Sequence, residues 1–368
     1  MPPKILVLSL ATGTGHVQVG AAIEAYARRE YPNLDIVHLD VANYISPRGR
    51  FWHQQIYATL SRYAKPGWGL LYRLTNFPAL ARLINYSGNQ SAAKHEQKLH
   101  AAIEKFRPTA IIITYFGCAP LLAPWIWRQS RPPLLAQVIT DYHVHAAFVR
   151  PEIDCFFAPT SHEERSLIKA GIDQAKIVVS GIPIQPKYYD PIDTNALRTK
   201  LHLPLNQPII LLAGGGAGAA RLDTLVRELF KQTRPLTIVA AAGKNQTLYQ
   251  NLQKLIPPPH LTLRVLPWTE LMPDYVRLAD VIITKPGGVS ITEAIVSQKP
   301  LILLASTAGQ ESHNARFVVN LGLGQYVRSA REINRHLDQL LRNPPRPLPL
   351  PQLPPAKIIL DTIIKKTS

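Results

Sequence analysis

Short, uninterrupted apolar runs recur along this chain, each leading into a stretch of helical periodicity. Lys4–Leu10, Ala110–Thr114 and Leu134–Thr140 lack the alternation of a strand with one wet face, so both faces must be covered. That is the pattern of a parallel sheet between helices. Gly15–Tyr31 reads as an amphipathic helix ended by Pro32, Asp35–Leu39 as a second strand, and Phe51–Phe106 as helical material. Ile153–Ala158 is a further short strand, and Thr160 or Ser161 caps the helix after it. Beyond the turn-rich Gly181-Ile182-Pro183-Ile184 the pattern starts again. Strands are predicted at Pro208–Ala213, Leu236–Ala241, Leu261–Leu266, Val281–Thr284 and Pro300–Leu304, with a helix running to Lys231. Two such series predict an α/β protein of two Rossmann-like doubly wound domains facing a central cleft. At 368 residues the chain is long enough to give each a sizeable core. Seven prolines between Pro344 and Pro355 predict an extended tether, followed by a final helix over Ala356–Lys366.

The strand Val281–Thr284 leads into Lys285-Pro286-Gly287-Gly288, and Ser290–Val296 can continue as a helix. Paired glycines let backbone N–H groups approach an anion, and a helix N-terminus adds a favourable dipole. Glu293 falls about one turn into that helix, within reach of a sugar hydroxyl. This reads as half of a nucleotide-diphosphate site; an ordinary strand–turn–helix connection has the same outline. Gly13-Thr14-Gly15-His16-Val17-Gln18 fails the dinucleotide pattern, since Gln18 stands where a third glycine is needed, and Gly214–Gly218 lacks the Gly-Lys-Ser/Thr of a P-loop.

Net charge is +17, which points to a polyanionic partner: nucleic acid, an anionic membrane or a phosphorylated substrate. Between Tyr44 and Arg107 ten Lys/Arg face only two acids. Arg48, Arg50, Arg62, Lys65 and Arg73 alternate there with Trp52, Trp68 and several Tyr and Phe. Basic side chains attract anionic headgroups, and Trp and Tyr suit the boundary with acyl chains, so this segment is a candidate membrane-docking surface. Solvated helices with their aromatics turned to a core would look the same. No nucleic-acid fold signature accompanies the charge, and a nucleic-acid partner is not expected. No apolar run reaches the roughly 18 residues of a spanning helix. Cys118 and Cys155 form no disulfide framework or metal spacing, and a cytosolic protein is expected.

Several motifs taken in order carry a resemblance: Gly13–Val19, Thr140-Asp141-Tyr142-His143-Val144-His145, Gly181–Ile184, Gly243-Lys244-Asn245, Lys285–Gly288 and Gly309-Gln310-Glu311. Together they resemble the diacylglycerol glycosyltransferases, that is the monogalactosyldiacylglycerol synthases and processive diacylglycerol glucosyltransferases of glycosyltransferase family 28. The resemblance runs from about Ile5 to Asn320. It implies a GT-B fold, with residues 1–190 as an acceptor and membrane-binding domain, 191–343 as a UDP-sugar-binding domain and 344–368 as tether and terminal helix. It also implies inverting transfer of a hexose from UDP-galactose or UDP-glucose to diacylglycerol, by an enzyme peripherally associated with the membrane. By the same resemblance, Gly214, Gly215, Gly216, Gly287 and Gly288 contact the diphosphate, and Lys244 and Lys285 belong to the donor site. Glu293 takes the ribose hydroxyls, Gln310 and Glu311 the sugar hydroxyls, and backbone from Trp268 to Met272 the uracil edge. No cofactor or metal is implied.

A general base is needed on the acceptor side. His16, Asp141 and His145 are the catalytic candidates, His16 because it opens a helix at the C-terminal edge of the first strand. His16 acts as base, as an essential acceptor-site group or as a simple helix cap; Asp141 either orients an imidazole or takes the proton itself. Asp141, His143 and His145 alternate with period two, which on a strand would point all three to one face. A transferase of N-acetylglucosamine to a polyprenyl or lipid-A-type acceptor is the alternative reading.

Overall fold

The computed structural model describes residues 3–11, 14–45, 97–215, 221–305, 310–349 and 352–368. Its contacts divide the chain into two compact units. The first holds Met1–Pro186, Thr307–Gln310 and Pro351–Ser368; the second holds Lys187–Ser306 and Glu311–Leu350.

In the first unit the strands are β1 (Lys4–Ser9), β2 (Asp35–Asp40), β3 (Ala110–Ile113), β4 (Leu134–Val138), β5 (Cys155–Ala158) and β6 (Ile177–Val179). They form one parallel sheet in the order β2-β1-β3-β4-β5-β6. Helices α1 (Thr14–Glu30), α2 (Gln97–Phe106), α3 (Ala119–Ile126) and α4 (Ser161–Lys169) connect them. The apolar runs read as doubly covered strands are just that: Ile5–Leu8 and Ala110–Ile113 have no exposed surface. Leu6, Leu8, Ile111, Ile113 and Phe156 form the centre of the core with Leu99 and Ile103 of α2. Burying one such side chain contributes roughly 1.5–3 kcal/mol, so the central strands hold most of the unit's stability.

The second unit has α5 (Thr194–Lys200), α6 (Leu222–Leu229), α7 (Gln246–Gln253), α8 (Met272–Leu278), α9 (Gly288–Val296), α10 (Gln310–Asn320) and α11 (Ile333–Arg342). Its strands are β7 (Ile209–Ala213), β8 (Leu236–Gly243), β9 (Leu261–Pro267), β10 (Val281–Thr284), β11 (Leu301–Leu304) and β12 (Gly324–Val327). The parallel order is β12-β11-β10-β7-β8-β9, the order of a Rossmann sheet. Ile210, Leu212, Ile238, Ile283 and Ile302 form the centre of a separate core. At the far edge Gly324 pairs with Leu301, and a β-carbon on Gly324 would lie 2.1 Å from the Leu301 carbonyl oxygen. Backbone cannot give way as a side-chain tip can. Gly324→Ala is expected to cost about 1–3 kcal/mol, read as a lowered thermal midpoint.

The last helix, α12 (Pro355–Thr367), packs on α1 within the first unit. Ile359, Leu360 and Ile363 are fully buried, and Asp361 accepts a 2.5 Å hydrogen bond from Tyr31 at the end of α1. Lys187–Asp190, placed by the sequence with the first domain, fall in the second unit. Lys187 pairs with Asp274 of α8 at 2.5 Å, and the Asp190 carbonyl accepts from Arg277.

Candidate active site

Ligands of open α/β sheets bind at the carboxyl ends of the strands, where the strand order reverses. In the first sheet that point lies between β1 and β3. The chain leaving β1 enters α1 with His16 in its first turn, and the chain leaving β3 carries Thr114 and Tyr115. The His16 Nδ1 donates to the Thr114 carbonyl at 2.8 Å and lies 3.0 Å from the Thr140 hydroxyl, just past β4. Thr114 also donates from its hydroxyl to the His16 carbonyl at 2.9 Å. A carbonyl oxygen only accepts, so Nδ1 carries the ring proton and Nε2 is left as the acceptor. Burial pushes the His16 pKa below the ordinary histidine value, while Asp141 and the Thr114 carbonyl pull it back. The ring is therefore held neutral at physiological pH, with the tautomer that a general base needs.

Asp141 is brought to His16 and acts on it electrostatically. His145 is buried beside Phe148 at 6.2 Å between ring centroids, and Phe148, Phe116 and Tyr115 continue a file of rings to His16 with spacings of 5.0, 4.8 and 5.0 Å. The period-two reading of Asp141, His143 and His145 is corrected. β4 ends at Val138, and residues 141–145 follow bends rather than a strand, so alternation does not place them on one face.

In the second sheet the order reverses between β7 and β10. Gly214 and Gly215, the described part of the glycine loop, follow β7, and Pro286-Gly287-Gly288 follows β10, so both come to one switch point. Thr284 ties them by donating to the Ala213 carbonyl at 2.9 Å. Gly214 is buried, and Gly215 turns with φ of +79°, a conformation that favours glycine. The helix begins earlier than the sequence predicts: Gly287 is the N-cap of α9 and Gly288 its first residue. No side chain caps this end, so its first N–H groups are available to an anion.

Helix α10 buttresses this turn twice. Asn314, fully buried, donates to the Pro286 carbonyl at 3.0 Å, and Glu311 pairs with Lys285 at 3.2 Å. The second Glu311 carboxylate oxygen is buried with no hydrogen-bond partner among the described residues, an acceptor position that a bound hydroxyl would satisfy. Gln310 opens the same helix. Burial raises the pKa of Glu293, on α9, to about 7, although the Tyr188 phenol acts to pull it down. Elsewhere in this unit Lys244, aimed by Gly243 at φ of +60°, stands 5.9 Å over the ring of exposed Trp268, and Met272 starts α8. Gly13, Gly216 and Gly309 lie outside the described residues, as do the docking candidates Arg48, Arg50, Trp52, Arg62, Lys65, Trp68 and Arg73.

Thr114 and Tyr115 were missed by sequence reasoning, which named Thr140 only within a motif. The two threonines had a signal, being polar residues at the carboxyl ends of apolar strands.

Two Rossmann-type sheets, each gathering polar groups at its switch point, are the arrangement of a GT-B fold. The chain belongs to the diacylglycerol glycosyltransferases of family 28: residues 16–184 match the monogalactosyldiacylglycerol (MGDG) synthase family and residues 209–350 the glycosyltransferase family 28 C-terminal domain. It is 27% identical to the processive diacylglycerol beta-glucosyltransferase of Bacillus cereus strain AH187, over 98% of this chain and 93% of that protein. The protein of the same description from Bacillus thuringiensis strain Al Hakam is 26% identical over 99% and 94%. Among solved structures, the UDP-GlcNAc 2-epimerase of Neisseria meningitidis bound to UDP-GlcNAc has a TM-score of 0.61 at 14% identity, covering 98% of this chain and 100% of that one. MurG of Acinetobacter baumannii has a TM-score of 0.51 at 15% identity, covering 99% and 95%. These two share the fold.

Proposed function

We propose that the protein transfers a hexose from UDP-glucose or UDP-galactose to diacylglycerol, with inversion, to give a β-glycosyldiacylglycerol. The observation that carries this reading is His16, a neutral imidazole whose Nδ1 is pinned and whose Nε2 is left to take a proton. The acceptor oxygen attacks the anomeric carbon, its proton passes to Nε2, and the bond from that carbon to the β-phosphate oxygen breaks with its electron pair leaving on UDP. Asp141 stabilises the imidazolium that forms. The N–H groups at the start of α9, the turn at Gly214–Gly215 and Lys285 meet the growing charge on the diphosphate, as preorganised donors do. Glu293 takes the ribose hydroxyls, Glu311 with Gln310 those of the sugar, and Lys244 with the Trp268–Met272 backbone the rest of the nucleotide. The basic, aromatic segment from Tyr44 to Arg107 docks the enzyme on an anionic bilayer. No described helix is long and apolar enough to cross a membrane, which accords with attachment at the surface.

The test is UDP release with diacylglycerol in anionic liposomes, the two donors offered separately. Turnover with one donor, and a glycolipid on the product plate, is expected and identifies the sugar. Tight UDP binding without turnover on either would favour N-acetylglucosamine and a polyprenyl or lipid-A-type acceptor. No UDP binding at all would overturn the assignment.

A further inference from the structure

At the turn into α9, the peptide between Pro286 and Gly287 is held at both ends. Its carbonyl accepts at 3.0 Å from the Asn314 amide on α10, and its N–H donates to the Lys285 carbonyl at 2.8 Å. In a trans peptide these two groups point opposite ways in one plane, so the pair of bonds fixes that plane. The carbonyls that follow bond within α9, Gly287 to the Ile291 N–H at 3.0 Å and Gly288 to the Thr292 hydroxyl at 2.8 Å. That of Pro286 takes its bond from another helix, and from a side chain with no exposed surface. Because the Gly287 N–H is committed, the donors left for an anion are those from Gly288 onward. Neither backbone nor packing requires glycine at 287: its φ of −77° suits any residue, and a β-carbon there would meet no described atom within 4 Å. Open space therefore lies beside those donors.

We propose that Asn314 is a positioning residue for the donor's diphosphate: by holding the Pro286 carbonyl it fixes the peptide plane that aims the first N–H groups of α9. The proposal rests on the reading of this turn as the diphosphate site. An unpaired buried carbonyl is costly, so without the amide the plane turns toward another donor, and the N–H groups after it turn too. A carbonyl swung into the turn also sets the negative end of its dipole against the anion. Helix α10 carries a second tie to the same turn. Glu311 pairs with Lys285 at 3.2 Å and keeps one buried carboxylate oxygen without a partner among the described residues. Glu311 and Asn314 stand one helical turn apart, so one face of α10 braces the diphosphate turn and holds the carboxylate read as sugar-binding.

The experiment measures binding of UDP by calorimetry and of uridine by its competition with UDP. The proteins are the unmodified one, Gly287→Ala, Asn314→Ala and Asn314→Ser, each checked by thermal unfolding. The unmodified protein is expected to prefer UDP, and Gly287→Ala, whose methyl enters the open space, to lose much of that preference while staying folded. Asn314→Ala is expected to cut the preference about 10-fold, the lower end of what one hydrogen bond to a charged group contributes, and to leave uridine affinity as it was. Asn314→Ser, which keeps a shorter donor, should fall between Asn314→Ala and the unmodified protein. Equal affinity of the unmodified protein for UDP and uridine, or a Gly287→Ala protein with its full preference, would overturn the diphosphate reading itself. With both controls as expected, an Asn314→Ala protein that keeps its preference, or that loses UDP and uridine equally, overturns the inference about Asn314 alone. Failure of both Asn314 variants to fold does the same, since the amide then serves the fold and not the donor. If the alanine variant alone unfolds, the serine variant carries the comparison.

Discussion

Replacing His16 by alanine is expected to lower kcat by about 10²–10⁴-fold, the contribution of a positioned general base, and to leave UDP binding unchanged. The imidazole is held by the Thr114 carbonyl and the Thr140 hydroxyl in the first unit, whereas the groups we propose for the nucleotide belong to the second. Loss of the base therefore removes an interaction made in the transition state and not one made with the donor. The pH dependence follows from two groups. Burial keeps the His16 pKa below the ordinary 6.5, so its base form survives mild acid; Glu293, at about 7, protonates first as pH falls. Acidification should thus raise the donor KM before it depresses kcat, and the kcat limb should vanish in His16→Ala. Steady-state kinetics across the pH range, with thermal unfolding beside them, checks this. A variant that loses stability but keeps its kcat and its pH limb would make His16 a helix cap, one of the three roles the sequence allows it.

How much of this was legible in the sequence depends on whether a residue's role is written in its neighbours. The central strands were, because burial on both faces demands an apolar run, and Val281–Thr284 was read with its observed bounds. The edge strands Ile177–Val179 and Gly324–Val327 were not: they are short and half exposed, and nothing in four residues separates them from a loop. Glycine turns are similarly local, since Gly215 and Gly243 take positive φ that other residues resist. His16 was legible as a candidate, but its tautomer was not. That depends on Thr114 and Thr140, 98 and 124 residues away, which meet it only because β1, β3 and β4 lie side by side. The period-two argument for Asp141–His145 failed for a related reason: it assumed a strand, and the strand ends at Val138.

The largest expected effect on stability lies away from the reacting groups. Arg150 and Glu152 meet through the Arg Nε and Nη2 on one carboxylate oxygen, both at 2.5 Å, and both side chains are 2% exposed. A guanidinium taken out of water costs several kcal/mol, which the carboxylate's attraction offsets only while the pair is intact. Glu152→Ala removes that attraction from a deeply buried guanidinium, so a loss of up to about 3–5 kcal/mol is expected. Set against a total stability of about 5–15 kcal/mol, it leaves the first unit marginal. Denaturant unfolding should show a lowered midpoint with an unchanged slope, since the exposed surface is the same. Replacing both residues together, Arg150→Met with Glu152→Leu, should recover most of the loss because no charge remains buried. If the double replacement is as unstable as Glu152→Ala, packing and not charge is what the pair supplies. The consequence reaches catalysis as well. The pair closes the turn between Ala146–Phe148 and β5, directly after the segment that carries Asp141 and His145, and Phe148 stacks into the ring file that ends on His16. Loosening it should therefore lower kcat at temperatures well below unfolding, while UDP binding, which we propose for the other sheet, stays as it was.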